Sequence, residues 1–175
     1  MESVDCAIRS VDARDVDDPQ MLASIWVRST AIRDGSVEPG DVSAAVAGIR
    51  RRLEFVDACV LVAERRGRSV GFALGAPLGD VLELFYLAVD PEVWGEGIAT
   101  RLLRAVDSFA DSVGCETCVL WVIEDNERAI GVYENAGWIG TDDTQTDAAS
   151  GRVERRLVRR TQRTGGSVEA EFPFL

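Results

Sequence analysis

Val81-Leu-Glu-Leu-Phe-Tyr-Leu-Ala-Val-Asp-Pro91, followed at once by Glu92-Val-Trp-Gly-Glu-Gly-Ile-Ala-Thr-Arg-Leu-Leu103, decides how this chain is read. The first half is an apolar and aromatic run closed by Asp90-Pro91, the pattern of a buried strand. The second half carries Gly95 and Gly97. Ile98, Leu102, Leu103, Val106, Phe109, Ala110 and Val113 then recur at helical spacing up to Gly114, which suits the C′ position. The unit reads as strand, glycine turn, helix. The first N–H groups of a helix lack internal partners and sit at the positive end of its dipole. Glycines there let an anion such as a diphosphate approach the backbone with no Cβ in the way. The stretch has neither the Gly-Lys-Ser/Thr of a P-loop nor the third glycine of a dinucleotide fingerprint, whose place is held by Thr100.

Outward from this unit, 175 residues suit one domain with length enough to bury a core. The 30 acidic residues outnumber 19 basic ones for a net charge of −11, and every basic residue is Arg, with no Lys and no His. That balance argues against nucleic acid as a partner and suits a cationic amine. Without His, a general base has to be Glu, Asp, Tyr, Cys or a held water. No apolar run approaches the ~20 residues of a membrane span. The acidic Met1-Glu-Ser-Val-Asp start lacks a basic n-region, so a soluble cytoplasmic protein is expected. Cys115-x-x-Cys118 would be half a zinc site, but only Cys6 and Cys59 remain as thiols. No metal is expected, and the pair reads as strand-core residues.

Taken in order, residues 6–11 read as a strand. Asp17-Asp18-Pro19 then caps a helix through about Ile32, with Leu22, Ile25, Trp26 and Ser29 facing inward. Residues 35–40 are a break. A second helix starts at Asp41 or Ser43 and runs through about Phe55, its end carrying Arg50-Arg51-Arg52, a solvated face favoured at a helix C-terminus or a ligand contact. Residues 58–65 and 69–78 form a hairpin around Arg66-Gly67-Arg68, and residues 77–80 turn into the central strand. Residues 117–124 make a further strand, apolar without alternation and so buried on both faces. Asp125 or Asn126 caps a short helix to Asn135, stopped by Gly137. Residues 138–141 and 153–160 form a closing strand pair around a long polar loop, 142–151.

Two of these stretches resemble motifs of the GNAT superfamily of acyl-CoA-dependent N-acyltransferases. One is Trp94-x-x-Gly97-x-Ala99, preceded by Leu87-Ala-Val-Asp-Pro91. The other, at the family's usual interval, is Leu120-Trp-Val-Ile-Glu-Asp-Asn-Glu-Arg-Ala-Ile-Gly-Val-Tyr-Glu-Asn-Ala-Gly-Trp138. Together they span roughly residues 80–140. The family loop usually opens with Arg or Gln, where this chain has Trp94. The resemblance implies an α/β fold in one domain, residues 1–160, with a tail at 161–175. Its sheet would be mixed, mostly antiparallel and twisted, with about six or seven strands flanked by about four helices.

The resemblance also implies a function: N-acetyl transfer from acetyl-CoA, as co-substrate, to a primary amine of a small molecule or peptide, directly within a ternary complex. The alternatives are a non-catalytic acyl-CoA sensor and an enzyme acting on protein N-termini or Lys side chains. A homodimer is compatible with the family. The implied co-substrate site comprises the strand edge Leu87, Ala88 and Val89, the loop Gly95, Glu96, Gly97, Ile98, Ala99 and Thr100, and Asn126, Ala129 and Tyr133. Asn126 would bond the CoA arm and Tyr133 would protonate the departing sulfur. The two are seven residues apart, two helical turns, and so share a face. Glu83 stands within an apolar strand, where an unpaired carboxylate is costly. It is better accounted for facing an acceptor cleft, and the family often places its general base on this strand. Glu124 and Asp125 are secondary candidates.

Overall fold

The computed structural model describes residues 6–16, 19–38 and 40–161. The expected Asp17-Asp18 cap, Pro39 and the tail beyond Thr161 lie outside the described residues. Seven strands, β1 (Cys6–Asp12), β2 (Cys59–Arg65), β3 (Arg68–Leu78), β4 (Val81–Val89), β5 (Thr117–Ile123), β6 (Ile139–Thr146) and β7 (Val153–Arg160), form one sheet in the order β1-β2-β3-β4-β5-β7-β6. Only β4 and β5 run parallel; every other neighbouring pair is antiparallel. Among the described residues four α-helices accompany the sheet, α1 (Gln20–Arg33), α2 (Val42–Leu53), α3 (Ile98–Ser112) and α4 (Glu127–Asn135). Short 3-10 turns at Ala13–Asp15 and Pro91–Val93 had no signal in the apolar pattern.

Each face of the sheet has its own core. On one side α3 lays Ile98, Leu102, Leu103, Val106 and Ala110 against Leu61, Ala73, Leu82, Leu84 and Leu120. Full burial of one such leucine contributes about 1.5–3 kcal/mol, so this amphipathic stripe is a main anchor of the fold. Phe109 is only partly buried and Val113 is exposed, which shortens the inward face expected for α3. On the other side α1 and α2 cover Val60, Val62, Phe72, Leu74 and Ala88. α1 buries Leu22, Ala23, Ile25 and Val27; Trp26 and Ser29, expected to face inward, are only partly buried. Asp41 caps α2, accepting from Ser43 N and Ala44 N.

A loop was expected at residues 142–151, and the structure overturns half of it. β6 continues to Thr146, pairing with β7, and only the turn 147–152 remains. Nearly all of β6 is exposed, so no apolar alternation marks it. Backbone pairing with β7 holds it, joined by side-chain bonds such as Thr141 Oγ1 donating to the Arg156 carbonyl at 3.0 Å and Gln145 Nε2 donating to Glu154 at 2.9 Å.

The β3–β4 ladder is irregular between Leu74 and Gly75: Leu74 faces Tyr86 while Gly75 faces Leu84, leaving Phe85 as an extra residue. This bulge brings the two backbones so close that a Cβ on Gly75 would stand 2.7 Å from the Glu83 carbonyl oxygen. Gly75→Ala is therefore expected to destabilise by about 1–3 kcal/mol, as overpacking does. Gly131→Ala, in a helix interior with open space around it, is expected to stabilise by about 0.5–1 kcal/mol. Urea unfolding of both variants, with an unchanged m-value, checks the pair; a neutral Gly75→Ala would remove the close-approach explanation.

Candidate active site

β4 and β5 pair only from Val81↔Thr117 to Leu84↔Leu120. Beyond that point β5 stays with β7 while β4 continues along β3, so the two parallel strands part. Asp90 N–H donates to the Val70 carbonyl on β3 at 2.7 Å. By strand alternation Leu87 and Val89 then turn their N–H and C=O groups away from β3, toward the gap. Ala88 bonds to β3 instead, so of the three edge residues expected to bind, the backbone of two faces the opening.

The loop and α3 begin where β4 ends. Gly95 and Gly97 take φ of +84° and +78°, the left-handed region, and a Cβ at either would meet no protein atom within 4 Å. The first intrahelical bond is Arg101 N–H to the Gly97 carbonyl at 3.1 Å. The N–H groups of Gly97, Ile98, Ala99 and Thr100 therefore have no partner inside the helix. Glu96 lies between the glycines, but its carboxylate is drawn onto Arg65 at 2.8 Å, so no uncompensated negative charge remains at the helix start. The Ile98 side chain is buried in the core, and only its backbone is available.

Two residues to which the sequence assigned no structural role brace this corner. The Trp94 indole N–H donates to the Val89 carbonyl at 2.7 Å. The Arg128 guanidinium, from the first turn of α4, lies 3.9 Å over the Trp94 ring. The loop after β4 and the start of α4 thus touch across the gap. Asp90 anchors the same corner: it is buried, pairs with Arg28 of α1 at 2.6 Å, and accepts from Glu92 N. The departure at position 94 was visible in the sequence; its partner, 34 residues on, was not.

Asn126 caps α4, its Oδ1 accepting from Ala129 N–H at 3.3 Å, which leaves its amide free to donate elsewhere. Tyr133 is 9% exposed and packs at 60° against Trp138, ring centroids 6.0 Å apart. Burial pushes its hydroxyl pKa far up, so the group stays protonated throughout the neutral range. Glu83 lies opposite Val119, one pair before the strands part. Leu82 and Leu84 belong to the α3-side core, so Glu83 faces the α2 side. Tyr133 packs in the α3-side core, so the two groups flank the sheet at its opening. Burial raises the Glu83 pKa, opposed by the charges of Arg52 and Arg156. The secondary candidates are engaged in ion pairs: Glu124 with Arg155, and Asp125 with Arg152. Cys115 and Cys118 are buried, and burial pushes the Cys118 thiol up to about 12.

The model of the acetyltransferase (GNAT) family matches residues 26–138. An acetyltransferase of Pectobacterium atrosepticum is 32% identical over 118 residues, covering 67% of this chain and 79% of that protein. The ribosomal-protein-S18-alanine N-acetyltransferase of Escherichia coli superposes with a TM-score of 0.66 at 18% identity, covering 93% of this chain and 98% of that one. PaiA N-acetyltransferase of Thermoplasma acidophilum, solved with coenzyme A, gives 0.67 at 17% identity, over 89% and 98%. The YncA acetyltransferase of Salmonella typhimurium, solved with acetyl-CoA, gives 0.67 at 18%, over 90% and 95%. At these identities the structures establish likeness of fold.

The raised pKa of Glu83 fixes the sign of a pH effect. Below its ordinary value of 4.5 the group is protonated in both folded and unfolded chains and imposes no penalty. As pH rises from there through the folded value, the folded state pays to ionise it and stability falls. Glu83→Gln is thus expected to be more stable than wild type at pH 7, with the advantage vanishing toward pH 4. Urea midpoints at the two pH values check this; an advantage of equal size at both would assign it to packing.

Proposed function

The chain belongs to the GNAT acetyltransferase family, and from that premise we propose that it transfers an acetyl group from acetyl-CoA to a primary amine by direct attack within a ternary complex. The observation that carries this reading is the convergence of two anion- and amide-binding features on one opening: the exposed edge of β4 and the unpartnered N–H groups at the start of α3. The CoA and acetyl-CoA of two similar structures support the choice of co-substrate. Acetyl-CoA supplies the activated thioester; the rest of the chemistry falls to this chain's own groups.

In this reading the N–H groups from Gly95 to Thr100 hold the diphosphate, aided by the helix dipole. Leu87 and Val89 pair with the amides of the pantetheine arm as an added strand would. One of their N–H groups polarises the thioester carbonyl. Asn126 donates its amide to the same arm. Glu83, on the α2 side, takes the proton of the acceptor ammonium, and its raised pKa brings it nearer the operating range of a base. Tyr133, on the α3 side, hydrogen-bonds the departing sulfur. A thiol ionises near 8.5, well below the buried Tyr133, so complete proton transfer is uphill. The hydroxyl acts as a donor while the C–S bond breaks. No cysteine serves as acyl carrier, since Cys6, Cys59, Cys115 and Cys118 are all buried.

Release of free CoA over a panel of amines tests the reading as a whole. Gly97→Val places a β-branched residue at a left-handed φ and a side chain in the space in front of the N–H groups. It is expected to weaken acetyl-CoA binding at least about tenfold, or 1.4 kcal/mol. Unchanged calorimetric affinity in a folded variant would exclude this loop as the diphosphate site.

Tyr133→Phe keeps the ring against Trp138 and removes the hydroxyl. The loss is expected in kcat, on the order of 10²-fold, with acetyl-CoA affinity little changed. Glu83→Gln is expected to lose kcat too, but to recover in part at high pH, where more of the acceptor amine is already neutral. Near wild-type turnover in Tyr133→Phe, with chemistry rate-limiting, would take Tyr133 out of the mechanism and leave water as the acid.

A further inference from the structure

Of the 18 arginines among the described residues, ten hold a carboxylate; Arg66, Arg101, Arg104, Arg128 and Arg160 do not, and neither do three in a row on α2. Arg9, Arg14, Arg28, Arg33, Arg65, Arg68, Arg152, Arg155, Arg156 and Arg159 each hold a carboxylate. Arg50, Arg51 and Arg52, at the end of α2, have no carboxylate within 4.0 Å among the described residues. In a protein with 30 acidic residues, three consecutive unpaired cations require an explanation. Favourable interaction with the helix C-terminus accounts for exposed Arg50 and Arg51. It does not account for Arg52, which is half-buried and turned onto the sheet, 5.7 Å from the centre of the Phe85 ring.

The bulge at Phe85 decides what Arg52 meets. Phe85 and Tyr86 both belong to the α2-side core, and Glu83 faces that side two residues earlier. Arg52 from α2 and Arg156 from β7 both act on the Glu83 carboxyl through their charge, yet neither forms an ion pair with it. Arg156 is held at 3.3 Å by Asp143; among the described residues, Arg52 has an aromatic face but no carboxylate partner. The α2 side of β4 therefore presents one carboxylate and one guanidinium without a carboxylate partner, on the same face as the rings of Phe85 and Tyr86.

We propose that the acceptor is a primary amine that also bears a carboxylate, and that Arg52 binds that carboxylate while the amine lies at Glu83. This deepens the acetyl-transfer reading and rests on it for the role of Glu83. A guanidinium receives a carboxylate through two parallel hydrogen bonds, a fork that an ammonium group cannot reproduce. A polyamine or aminoglycoside would instead bring further positive charge against Arg52 and Arg156. Free amino acids and peptides with an acidic first or second residue share the required chemistry.

The test is binding and turnover of matched probes with acetyl-CoA or CoA present. Each amino acid is compared with its decarboxylated amine, and peptides starting in Asp or Glu with those starting in Asn or Gln. The carboxylate-bearing member of a pair is expected to be favoured at least tenfold in kcat/KM and in calorimetric affinity. Preference confined to free amino acids or to peptides identifies the source. Arg52→Gln is expected to collapse the ratio between paired probes through KM, Arg52→Lys to restore part of it, and Arg50→Gln to leave it unchanged. Equal handling of the pairs, no binding of any carboxylate-bearing probe, or an Arg52→Gln effect equal on both members would overturn the proposal. Carboxylate-selective binding that depends on Arg52 but yields no CoA release would instead keep the site and overturn the transfer reading.

Discussion

Everything in this structure that bears on chemistry follows from the parting of β4 and β5. A parallel pair normally satisfies backbone groups along its whole length, and abandoning it after four residue pairs leaves peptide groups open. The fold tolerates this because both strands keep their other neighbour: β3 holds β4 to its end, and β7 holds β5. The bulge at Phe85 adds to the divergence, since an extra residue on β4 bends and twists that strand relative to its neighbours. Gly75 makes the bulge possible by letting β3 lie against the Glu83 carbonyl. One glycine on a neighbouring strand thus stands behind the geometry of an opening to which it contributes no atom.

The same opening explains why two titratable groups have unusual environments without being close partners. Glu83 and Tyr133 are both pushed upward by burial, on opposite faces of the sheet. A strongly raised Tyr is a reservoir donor that never ionises at neutral pH, whereas a raised Glu moves toward it. Burial thus keeps the phenol a donor and makes the carboxyl a better proton acceptor, which suits the roles proposed for them. Holding Glu83 in this position lowers stability at neutral pH, which is the usual relation between a working site and the fold that carries it.

How much of this was legible in the sequence depended on whether a residue's role was written locally. The glycine turn, the α3 stripe from Ile98 to Ala110, the Asp41 and Asn126 caps and the apolar run of β5 all announce themselves within a few positions. The start of β6 was legible at residues 138–141, but its continuation through Thr146 was not, because an exposed edge strand has no buried face to impose alternation and only Thr144 and Thr146 there favour a strand. The parting of β4 from β5 is a property of register between segments some 30 residues apart, and no spacing within either segment encodes it. The Arg128–Trp94 contact was hidden for the same reason. The side of the sheet that Glu83 faces was predictable only in part, since alternation fails at the bulge just beyond it.

Trp94 shows how one substitution in a familiar loop can be absorbed by the surrounding structure. A side chain that ends in a single N–H donor cannot offer the charge or the several donors of an arginine. Here that N–H is spent on the Val89 carbonyl, one of the two that β4 turns toward the gap. The free edge keeps the N–H groups of Leu87 and Val89 and the Leu87 carbonyl, while one lone pair of the Val89 carbonyl is already taken. That shifts its balance toward donors, which suits a chain of carbonyl oxygens lying along it. The positive charge absent from position 94 reappears face-on over the indole as Arg128, carried by the helix that Asn126 caps. A stacked guanidinium keeps its N–H groups in the plane of the fork, clear of the ring face. The loop, the strand edge and α4 are thereby locked in one corner by a side chain whose own chemistry is almost entirely apolar.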